Sequence, residues 1–240
     1  MTHDKILASL FPGGHPFDVS GGLVTGTGTL ADGTAACVIG ITDRTQPGVD
    51  EAIRLAGVVL EAAYRDDSAP ILVLVDSGSQ RMSRRDELLG LSETLAHLAK
   101  SLRLAEERGH RTIGILYGGS AAGAFIATAL ACGTLVALPG AHPEVMDLPS
   151  MSRVTKLSVD VLEEKAKSTP VFAPGLDNLF ATGAIVTVWD PAAPLDAQLD
   201  TALSETTTPD RRSATGLARG GRPKAFDIAN EVQRLAMAHG

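Results

Sequence analysis

Along the chain, short unbroken apolar runs alternate with helically spaced ones, and glycine or proline separates them. Ile71–Val75, Thr112–Tyr117 and Leu135–Leu138 are continuous rather than alternating. Continuous runs of this length predict parallel strands buried on both faces. Upstream, 22–30 and Thr34–Ile41 flank Asp32-Gly33, a hairpin signal. Helical spacing predicts helices over Asp4–Phe11, Glu51–Arg65, Arg84–Arg108 and Ala121–Ala131. Asp50 is the expected N-cap of the second, with Ile53, Leu55, Val58, Val59 and Ala62 on its apolar side. Gly109 fits the C-cap of the third. Further on, Val159–Lys167, Ala197–Ser204 and Ala225–Ala238 read as helices and Ala184–Trp189 as a last strand. Residues 205–224, rich in Thr, Arg and Gly, read as a mobile link before the last helix. A hairpin followed by strand–helix units predicts an α/β fold with right-handed crossovers. Residues 1–240 are read as one domain.

Composition narrows the function classes. Hydrophobic residues make up 44% and charged residues 20%, which excludes a disordered chain. The net charge of -7 argues against a nucleic-acid partner. Aromatics at 4% leave little for base-stacking surfaces. No formal charge occurs over Thr112–Ala141, long enough to cross a bilayer. Gly118-Gly119 and Cys132-Gly133 cut that stretch into strand, helix and strand, so buried core rather than membrane is expected. The first residues lack the basic and apolar regions of a signal peptide. Cys37 and Cys132 read as buried free thiols of a reducing, cytoplasmic compartment. The six histidines are scattered singly, and no metal site is expected.

Two glycine turns carry the candidate chemistry, both at the carboxyl ends of strands, where α/β sheets place ligands. The first is Asp76-Ser77-Gly78-Ser79-Gln80; the second is Gly118-Gly119-Ser120-Ala121-Ala122-Gly123-Ala124. In the second, small side chains surround free amides at a helix start, suited to a developing oxyanion. The plainer alternative is tight helix–strand packing. Ser120 resembles a nucleophile elbow, but Ala122 stands where the last glycine belongs. Only His142 is near enough in sequence to act as its base; otherwise Ser120 is an N-cap. Gly26-Thr27-Gly28-Thr29-Leu30-Ala31 matches a dinucleotide fingerprint in letters, but a second strand follows, not a helix. Arg81, Arg84 and Arg85 are either contacts for an acidic carrier or phosphate, or a solvated helix start. Arg211, Arg212, Arg219, Arg222 and Lys224 form a second basic cluster that suits a partner, a carrier or a linker.

Together these segments resemble a known family. Val24–Gly33 resembles the opening hairpin of carboxyltransferase domains in the crotonase superfamily. Ile71–Val75 with Asp76-Ser77-Gly78, the Gly118–Ala124 turn, and His142-Pro143-Glu144 resemble that superfamily's later motifs. Pro139–Met146, Ser150–Thr155 and Thr169–Gly175 are similar to the gamma subunits of biotin-independent malonate decarboxylases. The resemblance implies a crotonase-like ββα spiral with an N-terminal hairpin and C-terminal helices. It also implies a carboxy-lyase that works with a beta subunit on malonyl thioester carried by an acyl carrier protein. The thioester arm would be a phosphopantetheine-type group derived from dephospho-coenzyme A, or coenzyme A itself. No directly bound cofactor is implied. By resemblance, Gly118, Gly119, Ser120, Ala121, Ala122 and Gly123 form the oxyanion turn. Ser77, Gly78, Tyr117 and His142 border the substrate, with Tyr117 one possible proton donor to the enolate. Other readings are a carboxyltransferase subunit of a biotin-dependent acyl-CoA carboxylase, a serine peptidase of the same clan, and a non-catalytic scaffold.

Overall fold

The computed structural model describes residues 1–168, 174–205 and 210–238. Residues 169–173, part of the resemblance above, lie outside the described residues. The chain opens with helix α1 (His3–Leu10), then strands β1 (Phe17–Ser20), β2 (Leu23–Thr29) and β3 (Ala35–Thr45). Helix α2 (Val49–Ala63) leads to β4 (Ile71–Ser77). Helices α3 (Arg84–Leu88) and α4 (Leu91–Glu107) lead to β5 (Thr112–Leu116). A short strand β6 (Gly119–Ala121), helix α5 (Ala122–Ala127) and a 3-10 turn (Ala129–Ala131) precede β7 (Thr134–Ala137) and β8 (His142–Glu144). Then come α6 (Leu148–Thr155), α7 (Val159–Ser168), α8 (Leu176–Ala181), β9 (Thr187–Val188), α9 (Leu195–Ser204), α10 (Arg212–Ala218) and α11 (Pro223–Ala238).

The main sheet has the order β1-β2-β3-β4-β5-β7-β9. β1, β2 and β3 are antiparallel; from β3 to β9 all neighbours are parallel. Alternate residues of β4 face opposite layers. Ile71, Val73 and Val75 join Leu55, Val59, Leu98 and Phe125 on one side, while Leu72 and Leu74 join Leu7, Phe11 and Leu199 on the other. Burial on both faces explains why this strand reads as one apolar run. On α2, Val49, Ala52, Leu55, Ala56, Val59, Ala62 and Ala63 are buried, a helical stripe whose alanines let α4 approach closely. Burial pushes the Cys37 thiol up to about 11, and also raises Cys132.

Several boundaries differ from the sequence expectation. Gly48, not Asp50, precedes α2, and the Glu51 carboxylate accepts its amide at 2.9 Å. Ile53 points to solvent. The long helix expected over 84–108 breaks at Gly90, whose φ of +81° is left-handed and free of strain only for glycine. α5 holds six residues rather than the expected eleven-residue helix, because β6 takes up its start and the 3-10 turn its end. The segment read as a link contains α10, and residues 206–209 lie outside the described residues. Arg219 lies over the Phe180 ring at 3.6 Å and donates to the carbonyls of Phe180, Ile185 and Val186. Arg212 pairs with Asp210. Two members of the second basic cluster are therefore engaged within the chain.

Two of the three residues of the first basic cluster, Arg81 and Arg85, are likewise engaged. Arg85 pairs with Asp50 at 2.8 Å. Arg81 pairs with Glu51 at 2.9 Å and Asp86 at 3.0 Å, tying the start of α2 to that of α3. Asp86 is 1% exposed and also accepts from the Val49 amide and Ser83. The Arg81 guanidinium, then Ser83, hold its carboxyl well below the usual value. A carboxyl lowered in the fold adds stability that is complete above its unfolded value and drains away as pH falls. Urea unfolding of the wild type should therefore lose midpoint below about pH 4, and Asp86→Asn should flatten that acid slope. Equal acid sensitivity in the two proteins would exclude Asp86 as its source.

Candidate functional site

The site lies where β4 and β5 end. Both turns leave the sheet there, and side chains of the first satisfy backbone groups of the second. The Asp76 carboxylate accepts the Gly119 amide at 2.9 Å. The Gln80 carbonyl oxygen accepts the Gly123 amide at 2.8 Å. The hydroxyls of Ser77 and Ser120 meet at 2.8 Å, both buried. Gly78 donates its amide to the Thr45 carbonyl at 3.0 Å, and its own carbonyl accepts from Ala121 at 3.4 Å. Gly78 thus shapes the floor and has no free amide to offer.

Beyond Gly119 the chain runs extended through β6, which pairs in parallel with β8. The Gly118 carbonyl accepts the His142 amide at 3.0 Å. Ala122, the first residue of α5, has φ +50°. A left-handed alanine costs about 1–2 kcal/mol, so the surrounding contacts hold this bend against a local preference. Among the described residues no acceptor meets the amides of Ala122 or Ala124. A groove of about 250 Å³ opens at Gly123, lined also by Gln80, Leu91, Leu95, Ala96 and Ile126.

The six turn residues therefore divide. Gly119 and Gly123 are already hydrogen-bonded through their amides, Ser120 is buried against Ser77, and part-exposed Ala122 keeps an open donor, whereas Ala124 beyond them is fully buried. The expected contribution of a helix dipole shrinks, because α5 has only six residues. Ser120 is not an N-cap, since Ala121 holds that position. Nor does it meet a base. His142 lies opposite Gly119, and its Nε2 accepts from Arg44 Nη1 while Nδ1 contacts the Gly140 carbonyl at 3.2 Å. The nucleophile reading thus loses the partner it requires. Tyr117 is packed in the core layer with Phe11, Ile115 and Trp189, on the sheet face away from Phe125 of α5. Its hydroxyl is buried without a partner, and burial raises its pKa. It is not brought to the free amides.

The sequence reading named the Asp76–Gln80 turn without giving Asp76 or Gln80 a role, and it missed Arg44. Asp76 and Gln80 act on residues 43 positions away, and Arg44 on one 98 positions away. Only the Asp76–Gln80 turn carried any local signal, its place after an apolar run. Among the described residues no group of His, Cys, Asp or Glu is placed to hold a metal, and no helix is long and apolar enough to cross a membrane.

Comparison with known proteins identifies the family and the fold. A malonyl-S-ACP:biotin-protein carboxyltransferase from Malonomonas rubra is 28% identical over 147 residues. That match covers 58% of this chain and about half the length of the relative. A Pseudomonas malonate decarboxylase hetero-tetramer solved with coenzyme A superposes with a TM-score of 0.77 at 24% identity, covering 98% of both chains. The transcarboxylase 12S core gives 0.68 at 18% identity, over 83% of this chain and 40% of that one. These structures share the crotonase-like carboxyltransferase fold that the motifs implied. A family profile described as the malonate decarboxylase gamma subunit matches residues 42–236, and the chain belongs to that family.

Proposed function

We propose that this chain is one half of a carboxy-lyase that decarboxylates malonyl thioester to acetyl thioester and carbon dioxide. The observation that carries the reading is the left-handed bend at Ala122, which leaves the amide of this part-exposed residue open at the carboxyl edge of the sheet. Decarboxylation breaks the bond between the α-carbon and the carboxyl carbon. Its electron pair becomes an enolate with charge on the thioester oxygen, and a proton then joins the α-carbon. Fixed amides suit this step because the charge they meet exists mainly in the transition state. No acid–base dyad is needed to form the enolate. The Asp76 and Gln80 contacts hold the turn that presents the donors.

The other wall of the site belongs, in this reading, to a beta subunit, and the thioester is carried on an acyl carrier protein. Its arm is a phosphopantetheine-type group derived from dephospho-coenzyme A, with coenzyme A as the simpler carrier. The hetero-tetrameric assembly and bound coenzyme A of the Pseudomonas structure support both ideas. So does α11, where Ile228, Val232 and Leu235 make an exposed apolar stripe. The buried thiols suit a reducing cytoplasm. Tyr117 is set aside as proton donor because of its place in the core.

Two measurements test the proposal in the assembled complex. A β-carbon at Gly123 would lie 3.2 Å from the Gln80 oxygen and 3.3 Å from Leu95. Gly123→Val should therefore crowd the groove and shift the turn. A loss of kcat on the order of 100-fold, the scale of one oxyanion donor, is expected with the subunits still co-purifying. Full activity would point to a scaffold. Avidin should leave decarboxylation unchanged; inhibition would move the chain to the biotin-dependent carboxylases.

A further inference from the structure

Resting on the malonyl thioester reading, we infer that Arg44 is the residue that recognises the substrate's free carboxylate. Arg44 follows Asp43 in an irregularity of β3, where the register against β4 shifts between Ile41 and Thr45. Both residues are left-handed, with φ of +57° and +56°. Two consecutive non-glycine residues in this region are costly, and such strain gathers at functional sites. The bend carries the guanidinium over Gly119. A β-carbon at Gly119 would fall 2.7 Å from the Arg44 Cζ and 2.9 Å from His142 Nε2, so only glycine leaves the group its place.

Arg44 has no charge partner there. Among the described residues no carboxylate lies within 4.0 Å of it, whereas Arg54, Arg81, Arg85 and Arg103 are all paired. Among the described residues its one side-chain hydrogen bond is to the His142 ring, which takes a single N–H. Arg44 is exposed, its remaining donors meet no side chain among the described residues, and a guanidinium matches a carboxylate with two parallel bonds. Gly119 stands three residues from Ala122 along β6, about 10 Å at strand rise. A malonyl group with a hydrogen bond at each end spans such a length. Its thioester oxygen would meet the open Ala122 amide while its carboxylate meets Arg44.

The chemistry gives this assignment a kinetic signature. The carboxylate loses its charge as carbon dioxide leaves, so an ion pair to it is strongest in the ground state. Arg44 therefore contributes to binding and specificity, not to lowering the barrier. In the assembled complex, Arg44→Gln should raise KM for the malonyl-carrier about 10- to 100-fold. Its kcat should be unchanged or higher. Arg44→Lys should fall between, because an ammonium keeps charge but not the fork. Equilibrium binding of the acetyl-carrier, which lacks the carboxylate, should match wild type and doubles as the folding control. Equal weakening of both thioesters would assign Arg44 to the phosphates of the arm and overturn the inference. An unchanged KM, or a fall in kcat alone, would overturn it too. If the wild-type complex fails to decarboxylate, the proposed function is lost. Arg44 is then judged by whether R44Q weakens malonyl-carrier binding while sparing acetyl-carrier.

Discussion

Parallel strands all end at the same edge, and the backbone groups released there must find partners or water. Here one turn supplies the partners for the next. Asp76 takes the Gly119 amide, Gln80 takes the Gly123 amide, and Ser77 meets Ser120. Everything at the site depends on this lacing. It fixes where the second turn runs, which amides are used up, and which remain. The Arg81 cluster continues it outward, anchoring the Gln80 loop to the starts of α2 and α3 through buried Asp86. A rigid edge of this kind is what the proposed backbone oxyanion site requires.

The parts legible in the sequence were those set by local pattern. β4, β5 and β7 announced themselves because burial on both faces leaves no polar position to interrupt them. The hairpin was carried by Asp32-Gly33. The break in the long helix was not legible, because a single glycine such as Gly90 also occurs inside intact helices. α5 was misjudged for a related reason: alanine-rich segments favour helix, but pairing of β6 with β8 overrode propensity for the first residues. β1 is short and mostly exposed, and gave no apolar signal.

The site was half legible. The glycine turns could be placed from the strands before them, and their resemblance to carboxyltransferases pointed to the right family. Which amide stays open could not be read, because the acceptors that occupy Gly119 and Gly123 come from a distant turn. Arg44 was invisible for the same reason. It lies in a β-strand, and only the irregularity after Ile41 turns it toward Gly119. Arg81 shows the reverse error. A basic residue near a suspected anion site looks like a ligand contact until its own carboxylates, Glu51 and Asp86, are seen beside it.

The left-handed alanine at the head of α5 bears on ancestry. A donor that belongs to the main chain survives the exchange of its side chain, provided the bend survives. What passes from one such protein to the next is then a pair of torsion angles more than a letter. Alanine or glycine can write the same angle at different energetic cost. A fold that is shared over 98% of the chain while only 24% of residues agree shows how far the letters can drift along one backbone path.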